Sequence, residues 1–161
     1  MTASVVCNAG PLIALAIADQ LRVLPALYQR VLVPEAVIRE VVLSGTGRTG
    51  AREVEVASWI EVVPAGSVEP LLAAELGAGE SQVIDLAVRL KARLDLLDER
   101  RARRVASQVY NLRVRGTAGL LVEAKRAGLV PRVRPLLEAM VGKGYFLSAR
   151  LVEICCQEAG E

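Results

Sequence analysis

The stretch Val5-Val6-Cys7-Asn8-Ala9-Gly10-Pro11-Leu12 decides the reading of this chain. Val5, Val6 and Cys7 follow Ser4 without polar alternation, the pattern of a short strand covered on both faces. Asn8 interrupts the apolar run. Pro11 suits the start of a helix, where its missing N–H costs nothing, and residues 12–18 continue that helix. A doubly buried strand passing directly into a helix is the βα unit of a parallel sheet.

Working outward, the unit recurs. Residues 30–33 read as a second strand, stopped by Pro34, with a helix at 35–43. A third strand is expected at 59–63, a fourth at 94–97 and a fifth at 112–114. Between and after them come a short helix marked by Leu21, Leu24 and Leu27, helical turns at 51–58, and helices at 68–76 and 80–92. An arginine-rich helix follows at 99–110, then helices at 117–127, 132–141 and 148–158. No Asn-Gly type hairpin joins the strands, so the sheet should be parallel, with helices on both faces. The expected fold is α/β, a three-layer α/β/α arrangement with a central parallel sheet of about five strands. The 161 residues suit a single domain over 1–161 with a C-terminal helical extension at 130–161.

Composition narrows the chemistry. The chain is 53% hydrophobic and contains no histidine, which excludes Ser-His-Asp and Cys-His nucleophiles, HExxH zinc sites and imidazole bases. Cys7, Cys155 and Cys156 lack disulfide or zinc-site spacing and read as small buried thiols of a reducing, cytoplasmic protein. Residues 1–18 carry no charge and end in Ala16-Ile17-Ala18, yet no basic residue precedes them and Asn8, Gly10 and Pro11 interrupt the run. Neither a secretory leader nor a membrane span is expected. The net charge of +2 conceals an asymmetry: residues 53–88 hold seven acidic and no basic side chains, whereas 89–115 hold nine basic and three acidic. Salt-bridged neighbours are the simplest reading of such blocks.

Each candidate for chemistry has an ordinary explanation beside it. Gly45-Thr46-Gly47-Arg48-Thr49-Gly50 spells GxGxxG but follows a helix rather than a strand, so it reads as a surface loop. Gly142-Lys143-Gly144 lacks the rest of a P-loop. Asn8 and Asp98 end the first and fourth strands, where parallel sheets place their chemistry. Either residue also suits a helix N-cap, worth about 1 kcal/mol. Glu80 falls in the first turn of a helix, where the helix dipole favours it. Glu40 falls near a helix end, where the dipole does not. Asp95, inside the fourth strand, is not enlisted.

Taken together these residues resemble the PIN-domain superfamily, which includes the VapC-type toxins. Asn8-Ala9-Gly10-Pro11-Leu12-Ile13 looks like the family's first motif, and Val33-Pro34-Glu35-Ala36-Val37-Ile38-Arg39-Glu40 like the second. Leu76-Gly77-Ala78-Gly79-Glu80 is similar to the third, and Leu97-Asp98-Glu99-Arg100-Arg101-Ala102-Arg103 to the fourth. Gly116-Thr117-Ala118-Gly119-Leu120-Leu121, Gly144-Tyr145 and Ala159-Gly160-Glu161 match the tail of one little-characterised prokaryotic branch.

The resemblance implies a ribonuclease in which Asn8, Glu40, Glu80 and Asp98 hold Mg²⁺ or Mn²⁺ and carry catalysis. Hard oxygen donors of this kind suit either ion. Arg100, Arg101, Arg103, Arg104 and Thr117 would face the RNA, although the arginines equally suit a solvated helix face. An antitoxin protein is the other partner the resemblance implies, and the apolar stretch from Leu147 to Cys156 favours pairing with a second copy of the chain. Asn8 stands where the family usually has aspartate. That leaves open a second reading, an RNA- or protein-binding module with weakened catalysis, beside a third, an unrelated flavodoxin-like regulatory domain. With five aromatic residues in all, base stacking should not dominate recognition.

Overall fold

The opening stretch forms β1 (Val5–Cys7), buried along its whole length, and passes through Asn8 into α1 (Ala9–Ile17). The computed structural model describes residues 4–43 and 50–161, so of the expected glycine loop only Gly50 falls among the described residues. Pro11 is the third helical residue rather than the first. The first four N–H groups of a helix lack internal partners, so it costs nothing there either. Five strands, β1, β2 (Val31–Pro34), β3 (Ile60–Val63), β4 (Leu94–Leu96) and β5 (Val114–Arg115), make one parallel sheet in the order β3-β2-β1-β4-β5.

The strand sequences explain that order. β1 and β4 are buried throughout, as central strands must be, while the edge strands β3 and β5 are partly exposed. Val5 pairs with Leu94 and Cys7 with Leu96, and the Asn8 N–H extends the ladder to the Leu96 carbonyl at 3.0 Å. The chain builds outward from β1 through β2 to β3, then returns to lay β4 on the other side of β1. The strand order therefore reverses between β1 and β4, the place where open α/β sheets leave a crevice for ligands.

Helices complete the outer layers. α2 (Val23–Tyr28) precedes β2, α3 (Glu35–Val42) packs on β2 and β3 with α4 (Ala51–Glu55) against it, and α5 (Pro70–Glu75) packs against the helix that follows it. α6 (Ala78–Leu90) packs on β1, β2 and β4, whereas α8 (Thr117–Arg126), α9 (Arg134–Gly142) and α10 (Ala149–Glu158) pack against one another and reach α1. The result is a three-layer α/β/α fold. Among the described residues no helix is long and apolar enough to cross a membrane. All three cysteines are free and buried.

Several element ends shift by two or three residues, and one region departs further from expectation. The helix expected at 99–110 begins as α7 (Arg100–Arg104) and widens into a π-type turn over Val105–Val109. There the Ser107 hydroxyl donates to the Arg103 carbonyl at 2.8 Å, a back-bond that competes with the helical ladder. The Leu112 N–H closes that turn onto the Ala106 carbonyl at 2.9 Å. The fifth strand consequently starts later than residue 112.

Candidate functional site

Asp98 ends the β4 segment but does not cap the helix that follows it. Glu99 does so, accepting from the N–H groups of Arg101 and Ala102 at 3.1 and 2.8 Å. Asp98 instead crosses to the start of α8, where its Oδ1 accepts from the Thr117 N–H and its Oδ2 from the Thr117 hydroxyl, both at 2.6 Å. The Tyr145 hydroxyl, from the segment joining α9 to α10, donates to the same Oδ2. Burial, followed by the Asp98 charge, pushes the Tyr145 phenol well above its usual range. Gly10 makes room for this contact, because a Cβ there would stand 3.0 Å from the Tyr145 hydroxyl and 3.4 Å from Asp98 Cβ.

Asn8 occupies the cap position of α1 in extended backbone, yet its side chain makes no cap hydrogen bond. It is buried, and its Oδ1 has no hydrogen-bond partner. A buried carbonyl oxygen left without a donor costs on the order of 1–3 kcal/mol, so the capping explanation fails and a ligand at this oxygen becomes the natural one. Across from it lies Gly79, in the first turn of α6. A Cβ on Gly79 would sit 3.1 Å from Glu40 Oε2 and 3.5 Å from Asn8 Oδ1. Both oxygens thus border the cradle that a side chain at Gly79 would fill.

Glu80 neighbours that cradle and serves its helix as well, with Oε2 accepting from the Gly77 N–H at 3.0 Å. Partial burial, then the charge of Glu80, raises the pKa of Glu40, so the two carboxylates feel each other. The structure therefore brings Asn8, Glu40 and Glu80 to one corner of the crevice and sets Asp98 on the adjoining strand end, turned toward Thr117 and Tyr145. Among the described residues, no three carboxylate or thiol groups converge closely enough to enclose a metal by themselves.

That arrangement still fits a hard cation. The donors are all oxygens, one of them is orphaned, and Gly79 leaves open the space between two of them. Mg²⁺ commonly keeps several waters and takes only one or two carboxylates from the protein. Asn8, Glu40, Glu80 and Asp98 are the residues that would hold it.

The expected nucleic-acid residues separate into groups. Arg100 and Arg103 line a cavity of about 650 Å³ that also reaches Asp98 and Phe146. Arg101 is drawn into an ion pair with Glu75 at 2.5 Å, while Arg104 stays exposed at the end of α7. Thr117, expected to face RNA, is wholly buried with its hydroxyl committed to Asp98. Acidic and basic blocks thus meet in part as salt-bridged neighbours.

Three contributors escaped the sequence reading. Tyr145 holds Asp98 from 47 residues away. Arg115 lines the cavity but is spent on Glu123. Asp95 is buried in β4 with both carboxylate oxygens unpartnered, and burial pushes its carboxyl up to about 8. Asp95 was readable as a charge inside an apolar strand, whereas nothing local marks Tyr145 or Arg115.

The class of domain is thus a three-layer α/β/α fold whose switch point gathers Asn8, Glu40 and Glu80, with Asp98 on the adjoining strand end. The chain belongs to the PIN-domain family: a family model described as a PIN domain matches residues 4–161. No curated protein matches it. PIN domains are in general nucleases and in general use divalent metals.

Proposed function

We propose that this chain is a metal-dependent ribonuclease, the toxin of a toxin–antitoxin pair, hydrolysing RNA phosphodiester bonds with Mg²⁺ or Mn²⁺ at Asn8, Glu40, Glu80 and Asp98. The observation that carries the reading is the buried, unpartnered Asn8 Oδ1 facing Glu40 across the Gly79 cradle, beside Asp98 at the sheet's switch point. When bound, such an ion supplies an activated water and stabilises charge on the phosphoryl oxygens.

The chain's own residues do the rest. Asn8 offers a neutral carbonyl oxygen, so the site carries one negative charge fewer than an aspartate would give. Glu40 and Glu80 repel each other, and a cation between them relieves that repulsion. Thr117 and Tyr145 hold Asp98 in place through three hydrogen bonds. Arg100 and Arg103 provide positive charge for a phosphate backbone. The toxin role and the antitoxin partner rest on the sequence resemblance, a cytoplasmic location on the free thiols, and a homodimer on the apolar stretch from Leu147 to Cys156.

The test is cleavage of structured RNA with added Mn²⁺ by the native chain, Glu80→Gln and Asp98→Asn. Cleavage by the native chain and its loss in both variants is expected; equal cleavage by all three removes the site. Asn8 itself favours a second reading, a binding module with weakened catalysis. On that reading the native chain binds RNA without cutting it, and Asn8→Asp creates cleavage.

A further inference from the structure

Phe146 is the chain's one phenylalanine, and its side chain is 88% exposed. The other aromatic residues are all partly buried, and the three tyrosine hydroxyls are tied to Glu123, Glu69 and Asp98. A single exposed apolar side chain needs no explanation in itself. Its position does. Tyr145 turns inward onto Asp98, and its neighbour Phe146 stands outward at the mouth of the cavity of about 650 Å³ that Asp98 also lines. That volume is within the range of small-ligand sites.

The cavity is bipartite. Ile154 and Phe146 give it an apolar side, while Arg100 and Arg103 bring two guanidinium groups that make no ion pair among the described residues. A Cβ on Gly116 would stand 3.0 Å from both Arg103 Nη1 and Asp98 Oδ1, so the arginine reaches the edge of the candidate centre. A π-face beside unpaired cations matches a nucleotide, with its flat base and anionic linkage. Glu158 also lines the cavity and disfavours phosphate close to its own carboxylate.

We propose that Phe146 is a stacking platform for an unpaired nucleobase of single-stranded RNA whose phosphates lie on Arg100 and Arg103. The proposal rests on the ribonuclease reading above and adds where the strand runs and why it must be unpaired. Bases inside an A-form duplex stack on one another and present no open face to a side chain.

The test is fluorescence anisotropy with a labelled RNA oligonucleotide of about 12 nucleotides and its duplex, in EDTA so that cleavage plays no part. The native chain should bind the single strand more tightly than the duplex. Phe146→Leu, which keeps an apolar surface but removes the ring, should weaken single-strand binding about ten-fold, and Phe146→Trp should restore it. Duplex binding should not respond to either change. Equal binding of single strand and duplex, or of the native chain and Phe146→Leu, overturns the proposal. If Phe146→Leu leaves RNA binding intact but dissociates a native dimer in sedimentation, the ring belongs to a protein interface and the proposal likewise fails. A native chain that cuts RNA while Phe146→Leu binds normally loses the stacking site alone. A native chain that neither binds nor cuts loses the ribonuclease reading with it.

Discussion

Asp95 offers the sharpest test of how this fold handles charge. It lies inside β4, paired in register with Val6 on β1 and Val114 on β5, 1% exposed and without a hydrogen-bond partner on either oxygen. Burial raises its carboxyl from 3.8 to about 8. Between these values the unfolded chain has released a proton that the folded chain still holds, so stability falls as pH rises. Its contribution is fully present below about pH 4 and is lost progressively until about pH 8. At about 1.4 kcal/mol per pH unit, the penalty near pH 7 is roughly 4 kcal/mol, a large share of a small domain's stability. Asp95→Asn keeps shape and polarity but cannot ionise. Urea unfolding, followed through the single tryptophan Trp59, should give similar midpoints for native and variant at or below about pH 4. At about pH 8 the variant should be the more stable by on the order of 4–5 kcal/mol. Because other groups titrate equally in both proteins, the difference isolates Asp95. Superimposable pH profiles, or a variant less stable than the native chain at the alkaline end, would refute the reasoning.

Further predictions follow from other contacts. Gly79→Ala places a methyl 3.1 Å from Glu40 Oε2 and 3.5 Å from Asn8 Oδ1. Calorimetric titration with Mn²⁺ should show affinity reduced about ten-fold or more with little loss of thermal stability; unchanged affinity argues against that cradle as the ion's place. Tyr145→Phe removes one of the three hydrogen bonds on Asp98 while the ring still fills its space, so thermal unfolding should register a cost of about 1 kcal/mol. Glu161 accepts from the N–H groups of Val133 at 2.6 Å and Arg134 at 3.2 Å and pairs with Lys125. These bonds hold its carboxyl down at about 2, against an ordinary 4.5. Glu161→Gln should therefore lose about 1.5–3 kcal/mol at neutral pH, and the deficit should close as pH falls from about 4.5 toward 2. A deficit independent of pH would mean that the charge contributes nothing.

The fold was legible because its central strands are written as uninterrupted apolar runs. Val5-Val6-Cys7 and the segment at 94–97 could only be covered on both faces, and helices between them required parallel pairing. Boundaries were less legible where the decisive partner was remote or the competition was local. The arginine-rich helix widened because Ser107 bonds backward, and the fifth strand moved with it. At the site, strand ends pointed to Asn8 and Asp98, but capping and ligation look alike in sequence. Only geometry separates them: Asn8 caps nothing, Glu99 caps α7 in place of Asp98, and Glu80 bonds to its own helix start. Tyr145 was invisible as a partner of Asp98, since its role depends on where the α9–α10 segment returns to the sheet.

The strand order also governs how this chain can come to be folded. β1 lies at the centre, yet its second neighbour β4 begins only at Leu94. Until that segment leaves the ribosome, Val5, Val6 and Cys7 present one open hydrogen-bonding edge, the kind of edge that invites mispairing. Closing a contact between residues so distant in sequence is slow relative to forming the local helices. Tyr145 arrives later still. The crevice between β1 and β4 is accordingly among the last features to assemble during synthesis, and an incomplete chain has no means of presenting it.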